Sequence, residues 1–101
     1  MPNVYITNKS AHDFSDAERF GTLVYLTAGT IKRYNTNSLY REMIDGLVDA
    51  QAGDYLLVSS LNILNVIAAG ILARRFGVLN LLLWRSGKYI ERTINVDALL
   101  P

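Results

Sequence analysis

The chain has 101 residues, half of them hydrophobic, with 10 Lys and Arg against 9 Asp and Glu, which describes one compact domain and leaves no room for a second. A formal net charge of +1 gives no global field to draw in nucleic acid or an anionic membrane, so nucleic acid is not a favoured partner. With no cysteine and one histidine, disulfides, thiolate catalysis, iron–sulfur clusters and thiolate or His-rich metal sites within one chain are excluded, and neither a metal nor a cofactor is expected.

The opening residues Met1 to Lys9 lack the basic region and long apolar run of a signal peptide, so cytoplasmic residence is the expectation. Val4-Tyr5-Ile6-Thr7 reads as the first strand and Asn8 to Asp13 as a polar loop. Ser15 and Glu18 have capping-box spacing and Gly21 stands where a short helix stops, which predicts one or two turns over Asp16 to Phe20. Thr22 to Thr27 is a second strand and Ala28-Gly29-Thr30 a turn, after which Ile31 to Tyr34 reads equally as a strand or an extended loop.

Asn35 to Ser38 supply N-caps for a helix that places Leu39 or Tyr40, Met43, Ile44, Leu47 and Val48 on one stripe and runs to about Gln51. Tyr55-Leu56-Leu57-Val58 is a continuous apolar run, the pattern of a parallel strand covered on both faces. From Leu61 or Asn62 to Phe76 the chain reads as a buried helix, with Gly77 beyond its end, Arg74-Arg75 complementing its dipole, and Ala69, Gly70 and Ala73 allowing close approach. Its apolar stretch, Leu61 to Ala73, is shorter than the roughly 20 residues a membrane span needs, so no membrane segment is expected.

Val78 to Trp84 is another core strand, Ser86-Gly87 a hairpin turn, and Tyr89 to Val96 a final edge strand mixing Glu91, Arg92 and Thr93 with Ile90 and Ile94. The apolar tail Val96 to Pro101 docks either on its own domain or on a neighbouring subunit. The predicted fold is α/β: a mostly parallel sheet with a central βαβ unit from Tyr55 to Trp84, an antiparallel edge hairpin, and helices packed on the sheet. A chain this short buries only about two thirds of its unfolded surface, so a homo-oligomer is expected to complete the core.

In such a sheet the carboxyl ends of the strands face the usual ligand crevice. The sequence places Thr7, Asn8, Lys9, Ser10, His12 and Asp13 after the first strand, and Ser59, Ser60 and Asn62 after the third. Ser59 to Asn62 lead into a helix N-terminus, where free N–H groups and the dipole favour a phosphate; the simpler reading is that Ser60 caps the helix and Asn62 satisfies a backbone group. No dinucleotide fingerprint and no P-loop are present. His12 beside Asp13 has the composition of a general base, with Ser10 as a weaker nucleophile, although neighbouring residues rarely meet side chain to side chain and Asp13 equally serves as a helix cap. Asp13, Asp16 and Glu18 fit capping better than a magnesium site.

Lys32, Arg33, Tyr34 and Arg41 form a basic and aromatic cluster in which a base could stack on Tyr34 beside Arg33; solvated charges on an exposed edge explain it as well. Six tyrosines include candidates for subunit contacts or base stacking, among them Tyr5, Tyr25, Tyr40 and Tyr89.

The ordered set Asn8 to Ser15, Phe20-Gly21, Asp54-Tyr55-Leu56-Leu57 and Phe76 to Leu82 resembles small bacteriophage-encoded proteins, a family of unknown function. The resemblance covers most of the chain and transfers no site residue. It implies a context in which small accessory proteins act by binding a host protein, a nucleic acid or a nucleotide signal made by host defence. The leading expectation is therefore a non-enzymatic protein that holds an anionic, phosphorylated nucleotide-like ligand at the strand ends through Asn8, Lys9, Ser10, Ser59, Ser60 and Asn62, with Arg33 or Tyr34 contributing from a neighbouring segment. The alternatives are an interaction module that inhibits or adapts a host factor, and a small hydrolase using His12 with Asp13 or Ser10.

Overall fold

Side-chain alternation along four-residue strands decides how the layers stack. The computed structural model describes residues 1–28, 35–59 and 63–100. The elements run β1 (Asn3–Ile6), a 3-10 helix (Ser15–Arg19), β2 (Thr22–Tyr25), α1 (Thr36–Gly46), β3 (Tyr55–Val58), α2 (Ile63–Phe76), β4 (Val78–Arg85), β5 (Lys88–Asn95) and a last 3-10 turn, Val96–Leu99. The expectations for Ile31 to Tyr34 and for a helix start at Leu61 or Asn62 lie outside the described residues.

The sheet order is β2-β1-β3-β4-β5. β1 pairs in parallel with both β2 and β3, β3 in parallel with β4, and β4 antiparallel with β5. This is the α/β fold expected, with β3-α2-β4 as its central βαβ unit and β4-β5 as its hairpin. The order is that of a doubly wound sheet with the fifth strand reversed, and its connections diverge between β1 and β3.

Successive strand side chains point to opposite faces. Tyr5 and Leu56 join Leu39, Met43 and Leu47 and the α2 residues Leu64, Ala68 and Leu72 in one core. Val4, Ile6 and Leu57 meet Phe14, Ala17, Leu82 and Tyr89 in a second. The two helices thus cover one face, and the 3-10 helix with its preceding loop covers the other. Each fully buried Leu or Ile contributes about 1.5–3 kcal/mol, which is why β3, apolar on both faces, sits inside the sheet.

Two helix expectations are corrected. α1 stops at Gly46, short of Gln51, because Leu47 turns into the core at 0% exposure and the carbonyls released there find another donor. Arg75 supplies it: its guanidinium donates to the oxygens of Leu47 at 2.6 Å and Ala50 at 3.3 Å. The C-terminal ends of α1 and α2 lie side by side, so this charge serves its neighbour's carbonyls. α2 is apolar on all sides but not buried on all sides, since Val66 is 64% exposed; a Cβ on Gly70 would meet nothing within 4 Å, so close packing inside the chain does not require this glycine.

The hairpin follows expectation. Ser86 at φ 51° and Gly87 at φ 91° give the two left-handed residues of a type I′ turn, whose twist matches the flanking strands. At the far end of the sheet, Asp54 ties the chain together, accepting from the N–H of Asn3 and of Gln51, both at 2.9 Å. The tail residues Leu99 and Leu100 stay exposed.

Candidate functional site

The carboxyl ends of β1 and β3, where the connections diverge, carry a polar seam. The Thr7 hydroxyl donates to Oδ1 of Asn65 in the first turns of α2 at 3.0 Å, buried. The Thr27 hydroxyl lies 2.7 Å from the Thr7 carbonyl and 2.9 Å from Oδ1 of Asn8, and the Lys9 N–H donates to the Thr27 carbonyl at 2.8 Å. These bonds continue the β1–β2 pairing past the strands, through a bridge between Lys9 and Ala28, and fix where the next loop departs.

That loop crosses to the face of the 3-10 helix. The backbone N–H of His12 donates to Oγ of Ser10 at 3.3 Å, and the N–H of Ser15 donates to Oδ1 of Asp13 at 2.9 Å. Asp13 therefore caps the 3-10 helix, one of the two caps expected there, while Ser15 is the residue capped, and no side chain of the N-cap residue Phe14 contributes. Hydrogen bonds from Ser15, by side chain and then by backbone, hold the Asp13 carboxyl below its ordinary range, so it is anionic at neutral pH. The Ser10 hydroxyl accepts from the backbone of His12 and Asp13 accepts from the backbone of Ser15.

Between this loop and the hairpin lies a cleft of about 210 Å³, lined by His12, Asp13, Phe14, Val58, Ser59, Trp84 and Tyr89. Phe14 lies against Tyr25 and His12 at ring separations of 6.2 and 6.1 Å. The opposite wall is Trp84, packed edge-to-face on Tyr89 at 4.9 Å. Trp84 is 55% exposed and Tyr89 only 5%. Burial, with the charges of Asp16 and Asp13 adding to it, pushes the Tyr89 phenol up from its ordinary value, so the hydroxyl stays protonated and able to donate.

The wall is held by its backbone. The Tyr89 N–H donates to Oδ2 of Asp16 at 2.7 Å, the Arg19 guanidinium donates to the Tyr89 carbonyl, and Arg19 and Asp16 are themselves paired at 3.5 Å. The 3-10 helix is thereby bound to the start of β5.

Of the residues singled out from sequence, the structure brings His12, Asp13 and Ser59 to one cleft, with Ser10 in the same loop. Asn8 is taken up in the seam with Thr27. Lys9 holds its ammonium 5.4 Å above the Tyr25 ring, the ring that packs on Phe14. Arg33, Tyr34, Ser60 and Asn62 lie outside the described residues. Phe14, Trp84 and Tyr89 were missed as a group, and one signal was available: Trp84 is the only tryptophan, placed at a strand's carboxyl end just before a hairpin turn.

A second hollow, between α1 and α2, is lined by Tyr40, Ile44, Ile67, Gly70, Ile71 and Arg74, the last its one charged group among the described residues. Among the described residues no group of three His, Asp or Glu side chains is placed to hold a metal ion, and no helix is long and apolar enough to cross a membrane.

Fold and site together define a doubly wound α/β domain with an aromatic-walled strand-end cleft. A family model described as Phage Pam3 gp32-like protein matches residues 2–96, and the chain belongs to that family, in line with its resemblance to small phage proteins. No curated protein and no solved structure matches the chain.

Proposed function

We propose that the protein is a non-enzymatic binding protein that holds a phosphorylated, nucleotide-like ligand at the strand ends, with the base in the aromatic cleft. The observation that carries this reading is the cleft's position and lining. It opens where the connections of β1 and β3 diverge, the ordinary ligand crevice of such sheets, and an exposed tryptophan faces His12 and Phe14 across it. Base stacking on such a wall is worth about 1–3 kcal/mol by alanine substitution. The phosphate lies outside the aromatic walls, toward Lys9, Ser10 and Ser59 and the N-terminal end of α2, where the dipole favours negative charge. In a phage-infected cell this activity sequesters a nucleotide signal of host defence, keeping it from its receptor.

The single tryptophan supplies the readout. Titration with mono-, di- and cyclic nucleotides is expected to change Trp84 fluorescence and to release heat in calorimetry. Trp84→Ala is expected to weaken binding about tenfold or more. No heat and no fluorescence change with any nucleotide overturns the proposal.

A further inference from the structure

The cleft contains a hydrogen-bond donor that the fold does not use. Tyr89 is 5% exposed, its backbone is bound to Asp16 and Arg19, yet its hydroxyl has no hydrogen-bond partner among the described residues. Every fully buried side-chain N or O atom among those residues does have a partner. The unpartnered hydroxyl is therefore one that reaches open space, and the open space Tyr89 borders is the cleft. A phenol whose backbone is held in place and whose hydroxyl faces open space is free to donate to a ligand acceptor in the cleft.

Asp13 provides the complementary chemistry. A carboxylate offers about four lone-pair positions, of which Ser15 occupies part, and the side chain is exposed where it lines the cleft. Among the described residues no Lys or Arg lines the cleft. A phosphate placed against Asp13 would face a like charge, whereas a base edge that presents N–H groups would meet an acceptor.

We infer that the cleft selects guanine: Asp13 accepts from the ring N1–H and the exocyclic amine together, the Tyr89 hydroxyl donates to the neighbouring carbonyl, and Trp84 covers the ring face. This assignment rests on the nucleotide-binding reading above. Guanine presents two adjacent donors beside an acceptor, which match two carboxylate oxygens beside one phenol. Adenine and cytosine set a single amine next to a ring nitrogen whose lone pair would oppose the carboxylate, and uracil offers one N–H between two carbonyls.

The test is a titration of GMP, IMP, AMP, CMP and UMP, read by Trp84 fluorescence and calorimetry, on the full chain and on two near-isosteric variants. GMP is expected to bind at least about tenfold tighter than AMP, with IMP, which lacks the exocyclic amine, in between. Asp13→Asn keeps the helix cap, since Asn and Asp cap comparably, and is expected to abolish the preference for GMP. Tyr89→Phe keeps the ring and is expected to weaken GMP severalfold. Equal affinity for all five nucleotides overturns the guanine assignment and leaves nucleotide binding standing. A GMP preference that survives in Asp13→Asn overturns the role given to that carboxylate, and failure of every nucleotide to bind overturns both readings.

Discussion

Backbone groups on the open side of β5 are closed by side chains at the very residues that flank the cleft. In a two-residue hairpin Arg85 and Lys88 form the hydrogen-bonded closing pair, so Tyr89, Glu91, Thr93 and Asn95 turn their N–H and C=O groups outward. Asp16 and Arg19 take both groups of Tyr89, and the Arg92 guanidinium takes the Glu91 carbonyl at 2.7 Å, which guards this half of the edge against pairing with another strand. A tighter constraint acts at Gly21, where a Cβ would stand 2.1 Å from the Pro2 carbonyl that accepts the Thr22 N–H at 2.9 Å. Gly21→Ala is expected to lower stability by roughly 1–3 kcal/mol in urea unfolding, the usual cost of forced overpacking, because backbone rather than a flexible side chain must move. Tyrosine ionisation gives a pH dependence. Tyr55 is raised by its hydrogen bond to Glu91 and Tyr89 by burial, so both are held neutral longer in the folded chain than in the unfolded one. Their contribution is complete below the ordinary tyrosine value of about 10 and is lost as pH climbs through the folded-state values. Urea midpoints are expected to fall steeply above about pH 10, and less steeply in the double variant Tyr55→Phe, Tyr89→Phe.

Elements specified by short-range pattern were legible in the sequence, and their ends were legible only where the terminating signal is local. The apolar run Tyr55 to Val58, the Gly77 that ends α2 and the Ser86-Gly87 turn each carry their reason within a few residues, and each stands where expected. The end of α1 does not, because the carbonyls of the turn that follows it, those of Leu47 and Ala50, are satisfied by Arg75, which is 28 residues from Leu47 in sequence. Arg75→Ala is accordingly expected to cost about 1–2 kcal/mol, with faster hydrogen exchange at Leu47 and Ala50 than elsewhere in the helix pair. At the hairpin, Ser86 adopts φ 51°, a conformation asparagine tolerates better than serine. Ser86→Asn is expected to raise the thermal midpoint slightly, by an amount equivalent to about 0.5 kcal/mol.

At the scale of the whole molecule, the candidate site is a product of strand order more than of any motif. Polar residues at strand ends drew attention to His12, Asp13 and Ser59, whereas Trp84 read as part of a core strand and Tyr89 as one of several tyrosines for subunit contacts or base stacking. The βαβ unit from Tyr55 to Trp84 puts β4 beside β3, but nothing local says that the loop after β1 crosses to the face on which Trp84 emerges. The sheet order sets that juxtaposition, and the contact from Asp16 and Arg19 to Tyr89 holds it across 73 and 70 residues of sequence. Because the 3-10 helix carries the loop with His12 and Asp13 at one end and binds the hairpin along its length, the same bonds fix the separation of the cleft walls. Arg19→Ala leaves the Tyr89 carbonyl without its donor and removes the partner of Asp16, and it is expected to cost about 1–2 kcal/mol in urea unfolding. It touches none of the lining side chains, so a merely structural role would leave nucleotide affinity unchanged at temperatures where the variant is fully folded. Cleft geometry set by this contact instead predicts a severalfold loss of affinity under those conditions, with the fluorescence change at saturation retained because Trp84 itself is intact. A variant that loses stability while binding GMP at full strength would show that the walls are positioned by the sheet alone.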